Sequence, residues 1–296
     1  MMRQAILAAA LVATSVPAVA EVRVVATTSS MAMLAREVGG SAVSITTLAP
    51  PDRDPHYLLA RPSMMVALRR ADLLVAVGAE LEVGWLPAAI QGASNPKILP
   101  GQSGYFEGAA QIELIETGQV ADRSRGDVHP MGNPHYYMDP VRMAAVGRAL
   151  AARLGALDPA RAEEFTARAS AFAKAVDDRA SRWRQQASGA PGIVMYHKDA
   201  NYLAAFLDLP VLGYVEPLPG IPPTASHLRD LVTRLTGQKG VILYNSYHPS
   251  EGPAFLSRQL GWKSRQLQLE VPLDATGATY LSHIDQWVQA ITGATP

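Results

Sequence analysis

The sequence predicts an α/β protein of two lobes, each with a central, mostly parallel sheet flanked by helices, joined by one long helix. Two observations carry this. Apolar strand-like runs alternate with helix-period segments in both halves of the chain, the order that builds parallel sheets. Between the halves lies "ARAEEFTARASAFAKAVDDRASRWRQQASG", a helical stretch of nearly thirty residues that would span about 40 Å at 1.5 Å per residue. A rod of that length in mid-chain is suited to joining two bodies.

The elements follow in order. "MMRQAILAAALVATSVPAVA" has Arg3, a short apolar run and Ala18-Val19-Ala20 before Glu21. This is the pattern of a secretory signal peptide, residues 1–20, cleaved after Ala20. The first lobe is then expected over 21–155. "VRVVATT" reads as a buried strand, "SMAMLAREVGG" as a helix with a glycine stop, and "SAVSITTLAP" as a second strand. The loop "PDRDPHY" leads to the helix "SMMVALRRA", for which Ser63 is the expected N-cap. "DLLVAVG" is a third strand. Residues 102–134 hold few apolar runs and several glycines, and read as one long loop. Asp139-Pro140 supplies an N-cap and N1 proline for "VRMAAVGRALAARLG", and Asp158-Pro159 promises the same for the long helix, placed at 156–189. The second lobe, 190–296, alternates "GIVMYH", "KDANYLAAFLDL", "PVLGYV", "TASHLRDLVTRLTG", "GVILYN", "PSEGPAFLSRQLG", "KSRQLQLE" and "ATYLSHIDQWVQAITG".

Composition removes several functions. The chain has 26 Lys+Arg against 26 Asp+Glu. No basic excess argues for nucleic acid, and no basic run argues for a membrane surface. Beyond the leader, no apolar run is long enough to insert in a bilayer. There is no cysteine, so neither a disulfide nor a lipid-anchor thiol is expected. With an export signal and no lipobox, the expected location is a periplasm, and the expected state a soluble monomer.

Chemistry points to histidine. In open parallel sheets, ligands sit beyond the carboxyl ends of the strands. His56 lies in the loop after the second strand. His197 closes the strand "GIVMYH". His135 sits in the turn before the helix capped by Asp139. Two of them share a setting, "DPHY" and "NPHY", where the proline restricts the backbone that presents the imidazole. If the lobes face each other, three imidazoles converge in the cleft. Neutral imidazole suits Zn²⁺ at about 2.0–2.1 Å, with copper or nickel open. The bland alternative is turn chemistry before a helix.

Taken together, these motifs resemble the metal-specific periplasmic solute-binding proteins of ABC importers, the zinc and manganese receptors. "DPHYLLARPSMMVAL" is similar to the family's first ligand motif, and "NPHYYMDP" to its N-P-H-x-W-x-D-P, with Tyr137 replacing the tryptophan. "MYHKDANYLAAFLDL" is similar to the third, and "VEPLPGIPPTASHLRDL" to a loop and helix of one branch. The resemblance implies two lobes joined by a long helix. It implies His56, His135 and His197 as ligands of a transported Zn²⁺, and an ABC-type permease as partner. Histidine at the third position favours zinc over manganese.

Two departures stand out. The family places an acidic ligand where this chain has Asn245. His248, three residues on, is the candidate replacement, with Glu251 or water as alternatives and a solvated His248 as the plain reading. The 102–134 segment carries only His129, with Asp122 and Asp127 nearby, in place of a histidine-rich run. An ordinary solvated loop is the preferred reading there, and weak metal capture the other. His227 is expected on the surface and His283 in a structural role. The expected function is therefore a periplasmic zinc receptor and not an enzyme. The alternatives are a zinc-dependent hydrolase, with Glu216 or Glu251 as base, and a receptor for manganese or a chelated metal.

Overall fold

A computed structural model describes residues 21–118 and 128–293. The expected leader, and Asp122 and Asp127, lie outside the described residues. The first half runs β1 (Val22–Ala26), α1 (Ser29–Gly39), β2 (Val43–Thr47), α2 (Pro62–Arg69), β3 (Leu73–Ala76), α3 (Leu86–Ala93) and β4 (Tyr105–Glu107). Then come α4 (Pro140–Leu157) and the long α5 (Ala162–Ala187). The second half runs β5 (Gly192–Met195), α6 (Asn201–Phe206), β6 (Val211–Tyr214), α7 (Ala225–Leu235), β7 (Gly240–Asn245), α8 (Glu251–Leu260), β8 (Lys263–Leu267) and α9 (Gly277–Thr292).

Two four-stranded parallel sheets result, ordered β2-β1-β3-β4 and β6-β5-β7-β8. The two orders are the same, so both lobes follow one plan, as the alternation of strands and helices predicts. Each sheet is covered on both faces, which explains the continuous apolar strands. Side chains alternate across β1: Val24 and Ala26 face the inner core with α1, α4 and α5, while Val25 faces the outer layer of α2 and α3. In the second lobe Ile193 and Met195 point inward, and Val194 packs outward with residues of α7 and α8. The inner core is a single cluster shared by both lobes.

The long helix buries Phe165, Ala169, Phe172, Val176, Ala180, Trp183 and Ala187. These recur every three or four residues, so one stripe of the rod faces the core. Near its start Arg168 Nε donates to Glu37 O in the first lobe at 2.9 Å. Near its end Trp183 Nε1 donates to Asp285 of α9 at 2.6 Å.

Three local expectations are corrected. The segment 102–134 is not one loop, because Tyr105–Glu107 pairs with β3 as an edge strand. It is three residues long between Gly104 and Gly108, and only Phe106 is buried, so it has no apolar run to betray it. Ser63 is not the cap of α2. Pro62 takes the first helical position and Arg61 precedes it, the placement proline prefers. Asp139 does cap α4, accepting from Val141 N and Arg142 N. Asp158, however, pairs with Arg161 across a 3₁₀ turn, Pro159–Arg161, and α5 begins only at Ala162.

Candidate metal centre

His56 stands in a 3₁₀ turn, Pro55–Tyr57, beyond the carboxyl end of β2. Asp54 Oδ1 accepts from His56 N at 2.9 Å, an Asx-turn that fixes the residue two positions on. The same oxygen lies 2.6 Å from His56 Nδ1. Trp85 Nε1 donates to Pro55 O at 2.8 Å and holds the turn from below. His135 repeats the device, with Asn133 Oδ1 accepting from His135 N at 2.9 Å. Its Nδ1 meets the Tyr137 hydroxyl at 2.9 Å. His197 does not close a strand residue by residue. Its strand ends at Met195, and His197 begins the 3₁₀ turn that follows. Its Nδ1 faces Glu216 Oε2 at 2.9 Å, and Glu216 is in turn fixed by Gly220 N at 3.0 Å.

The three imidazoles gather into a near-equilateral triangle. Ring centres are 5.1 Å apart for His56 and His135, 5.4 Å for His56 and His197, and 5.4 Å for His135 and His197. One ligand atom from each lies within 4.8 Å of the others. With every Nδ1 engaged from behind, Nε2 is the nitrogen each ring leaves for the centre. His135 is almost wholly buried, and its Nε2 has no hydrogen-bond partner. A buried, unpartnered nitrogen is costly unless something binds it, and a set of three imidazole nitrogens matches the soft-borderline preference of Zn²⁺.

The electrostatics follow from this packing. Burial, then the neighbouring imidazoles, hold His135 well below the ordinary histidine value. Burial would lower His197 too, but the hydrogen bond to Glu216 and the charge of Asp199 outweigh it and raise it. Burial would raise Asp54, yet the nearby His56 and its hydrogen bonds bring it down to about 2. Asp199, sealed behind the site and accepting from Asn245 Nδ2, is pushed by burial up to about 7.

The remaining candidates fall at varied distances. His248 stacks on Tyr196, ring centres 4.2 Å apart, and its ring lies 6.4 Å from that of His197. Its Nδ1 accepts from Asn245 N at 3.2 Å. Glu251 is exposed at the start of α8. Glu216 is occupied behind His197. His129 differs from the solvated-loop expectation: it is half-buried, and its Nε2 lies 3.2 Å from His56 Nε2. His227 is half-buried against Tyr214 O, and His283 is buried on α9 against Leu269 O. Sequence reasoning had no view of Asp54, Tyr137 or Glu216 as partners of the three candidate rings. Asp54 alone left a signal, as an acceptor two residues before a histidine.

Two parallel-sheet lobes joined by a long helix are the architecture of the metal-binding solute receptors that serve ABC transporters. The match of residues 24–294 to the family "ZnuA: Zinc-uptake complex component A periplasmic" shows that the chain belongs to it. Among curated proteins, the high-affinity zinc uptake system protein ZnuA of Yersinia pestis is 24% identical over 257 residues, 82% of this chain and 81% of that one. The zinc-binding lipoprotein AdcA of Streptococcus pneumoniae is 22% identical over 274 residues, 88% of this chain but 53% of its own longer length. Among solved structures, a crystal structure of ZnuA superposes with a TM-score of 0.75 at 18% identity, covering 92% of this chain and 99% of that one. FpvC of Pseudomonas aeruginosa in complex with Mn²⁺ gives 0.75 at 23% identity, covering 92% and 97%. At this level the family is one of metal-binding receptors and not of enzymes.

Proposed function

We propose that this protein captures Zn²⁺ between its lobes, at His56, His135 and His197, and delivers it to an ABC-type permease from the periplasm. The observation that carries the reading is the orphaned Nε2 of His135 at the centre of three imidazoles whose Nδ1 atoms are all held from outside the site. Outer hydrogen bonds of this kind fix tautomer and ring direction for a metal. Three neutral nitrogens suit zinc better than the hard cations that take oxygen ligands. The zinc uptake proteins among its relatives support the same metal. His248, Glu251 or water remain the sequence's choices for a fourth ligand. A manganese reading draws on FpvC, which is solved in complex with Mn²⁺, but among the described residues no carboxylate joins the triangle. A zinc hydrolase would need a base at the metal-bound water. Neither carboxylate considered for that role faces the site. Among the described residues no helix is long and apolar enough to cross a membrane, which suits a receptor that meets its permease from outside the bilayer.

Elemental analysis and calorimetric titration at pH 7.5 test this. The wild type should bind about one Zn²⁺ with Kd well below ~1 μM, and His56→Ala, His135→Ala and His197→Ala should each lose most of that affinity. Binding no tighter than micromolar, or unchanged in all three variants, would defeat the proposal.

A further inference from the structure

We infer that His129 is the fourth nitrogen ligand of the captured ion. This rests on the zinc-binding reading above. Its Nε2 lies 3.2 Å from His56 Nε2, with ring centres 5.2 Å apart. Two nitrogens on one tetrahedral Zn²⁺, each about 2.0–2.1 Å from it, stand about 3.3–3.4 Å apart. The pair is therefore already spaced as two corners of one coordination shell. A second observation places His129 on the same void as His135 and His197. A cavity of about 10 Å³ is lined by His129, His135 and His197, with Lys198 and Glu116 at its wall. That is room for one water-sized occupant.

Contacts separate His129 from His248. The His248 Nδ1 lone pair accepts the Asn245 N–H, so a neutral His248 carries its proton on Nε2 and presents a donor, not a lone pair. Its stacking on Tyr196 holds the ring in that position. His129 Nε2 instead meets a ring of the site itself, His56. With the His56 Nδ1 proton directed at Asp54, His56 Nε2 is an acceptor, and His129 supplies the N–H it receives. Metal capture replaces that hydrogen bond. The His129 ring changes tautomer, and both Nε2 lone pairs turn to the ion.

His129 lies outside the set of three whose ligand atoms are mutually within 4.8 Å, so its side chain must swing inward to complete the shell. It stands on a less buried segment than His135 and His197. The nitrogen donor thus replaces the carboxylate that the chain lacks at Asn245. A four-imidazole shell is neutral apart from the ion and disfavours the hard cations that prefer oxygen.

Zinc-edge X-ray absorption of the zinc-loaded wild type counts the imidazoles without any mutation. Four are expected, falling to three in His129→Ala, with Kd for Zn²⁺ raised about tenfold or more by competition titration. Three imidazoles in the wild type together with unchanged affinity in His129→Ala would overturn the inference. His135→Ala serves as the control. If it abolishes binding while His129→Ala is silent, only the fourth-ligand inference fails. If His135→Ala binds as the wild type does, the three-histidine site itself fails.

Discussion

Asp54 and Asn133 perform one task in two places: each accepts the N–H of the histidine two residues on and sets its ring toward the cleft. That is the physical content of the repeated Asx-Pro-His. The two copies differ in what holds Nδ1, the same Asp54 in one and Tyr137 in the other. This difference gives a prediction. Asp54→Asn keeps the turn but removes the charged partner of Nδ1, while Asp54→Ala removes both. Zinc affinity should fall about 10–100-fold in Asp54→Ala and less in Asp54→Asn, read by competition with a chromophoric chelator. Equal affinity in all three proteins would mean that the turn does not orient His56. The candidate ligands were legible because strand ends and prolines mark them. Their partners were not. Glu216 is 19 residues from His197 and meets it only once β5 and β6 pair. His129 meets His56 across 73 residues, with no local pattern to announce it.

At the scale of elements, legibility followed burial. Strands buried on both faces, such as Leu73–Ala76, announce themselves, while Tyr105–Glu107 at the sheet edge does not. The rod α5 was readable by length and by its apolar stripe. Its start was misplaced because Asp158 turned to Arg161 instead of to the helix. Two predictions belong here. Phe172 is buried at the middle of the rod, with its ring centre 5.9 Å from that of Tyr280. Phe172→Ala should cost about 3–5 kcal/mol through the cavity it leaves, seen as a lower urea midpoint. The other concerns α9. His283 donates from Nε2 to Leu269 O, and burial pushes its pKa down to about 4. The folded state therefore refuses a proton that the unfolded chain accepts near its ordinary 6.5. Its contribution is intact above pH 6.5 and is lost as pH falls toward 4, by up to about 3 kcal/mol. His283→Gln should flatten that part of the acid limb in urea midpoints measured from pH 7 to 4. An unchanged slope would show that His283 takes up its proton without unfolding.

Across the whole molecule, the lobes are joined by more than the rod. Glu270, which follows β8, is buried and accepts from Ser29 Oγ, Ser30 N and Ser30 Oγ at the first turn of α1, at 2.7–2.9 Å. Its carboxylate thus satisfies an orphan donor at the positive end of a helix from the other lobe. Arg36 donates to Leu273 O and Ala275 O, and Glu37 accepts from Gly277 N. Asn133 Nδ2 donates to Lys198 O, tying the turn of His135 to the residue after His197. Hinge opening would have to break these bonds and split a core cluster that both lobes share, exposing apolar area at about 25 cal/mol per Å². A shift confined to side chains and loops needs neither. Metal release should therefore leave the lobes in place. Small-angle scattering of apo and zinc-loaded protein should give the same radius of gyration, near about 19 Å for a compact chain of this length. An apo profile that requires the lobes to swing apart would show that these ties yield, and that capture works by closing a hinge instead of by filling a preformed triangle.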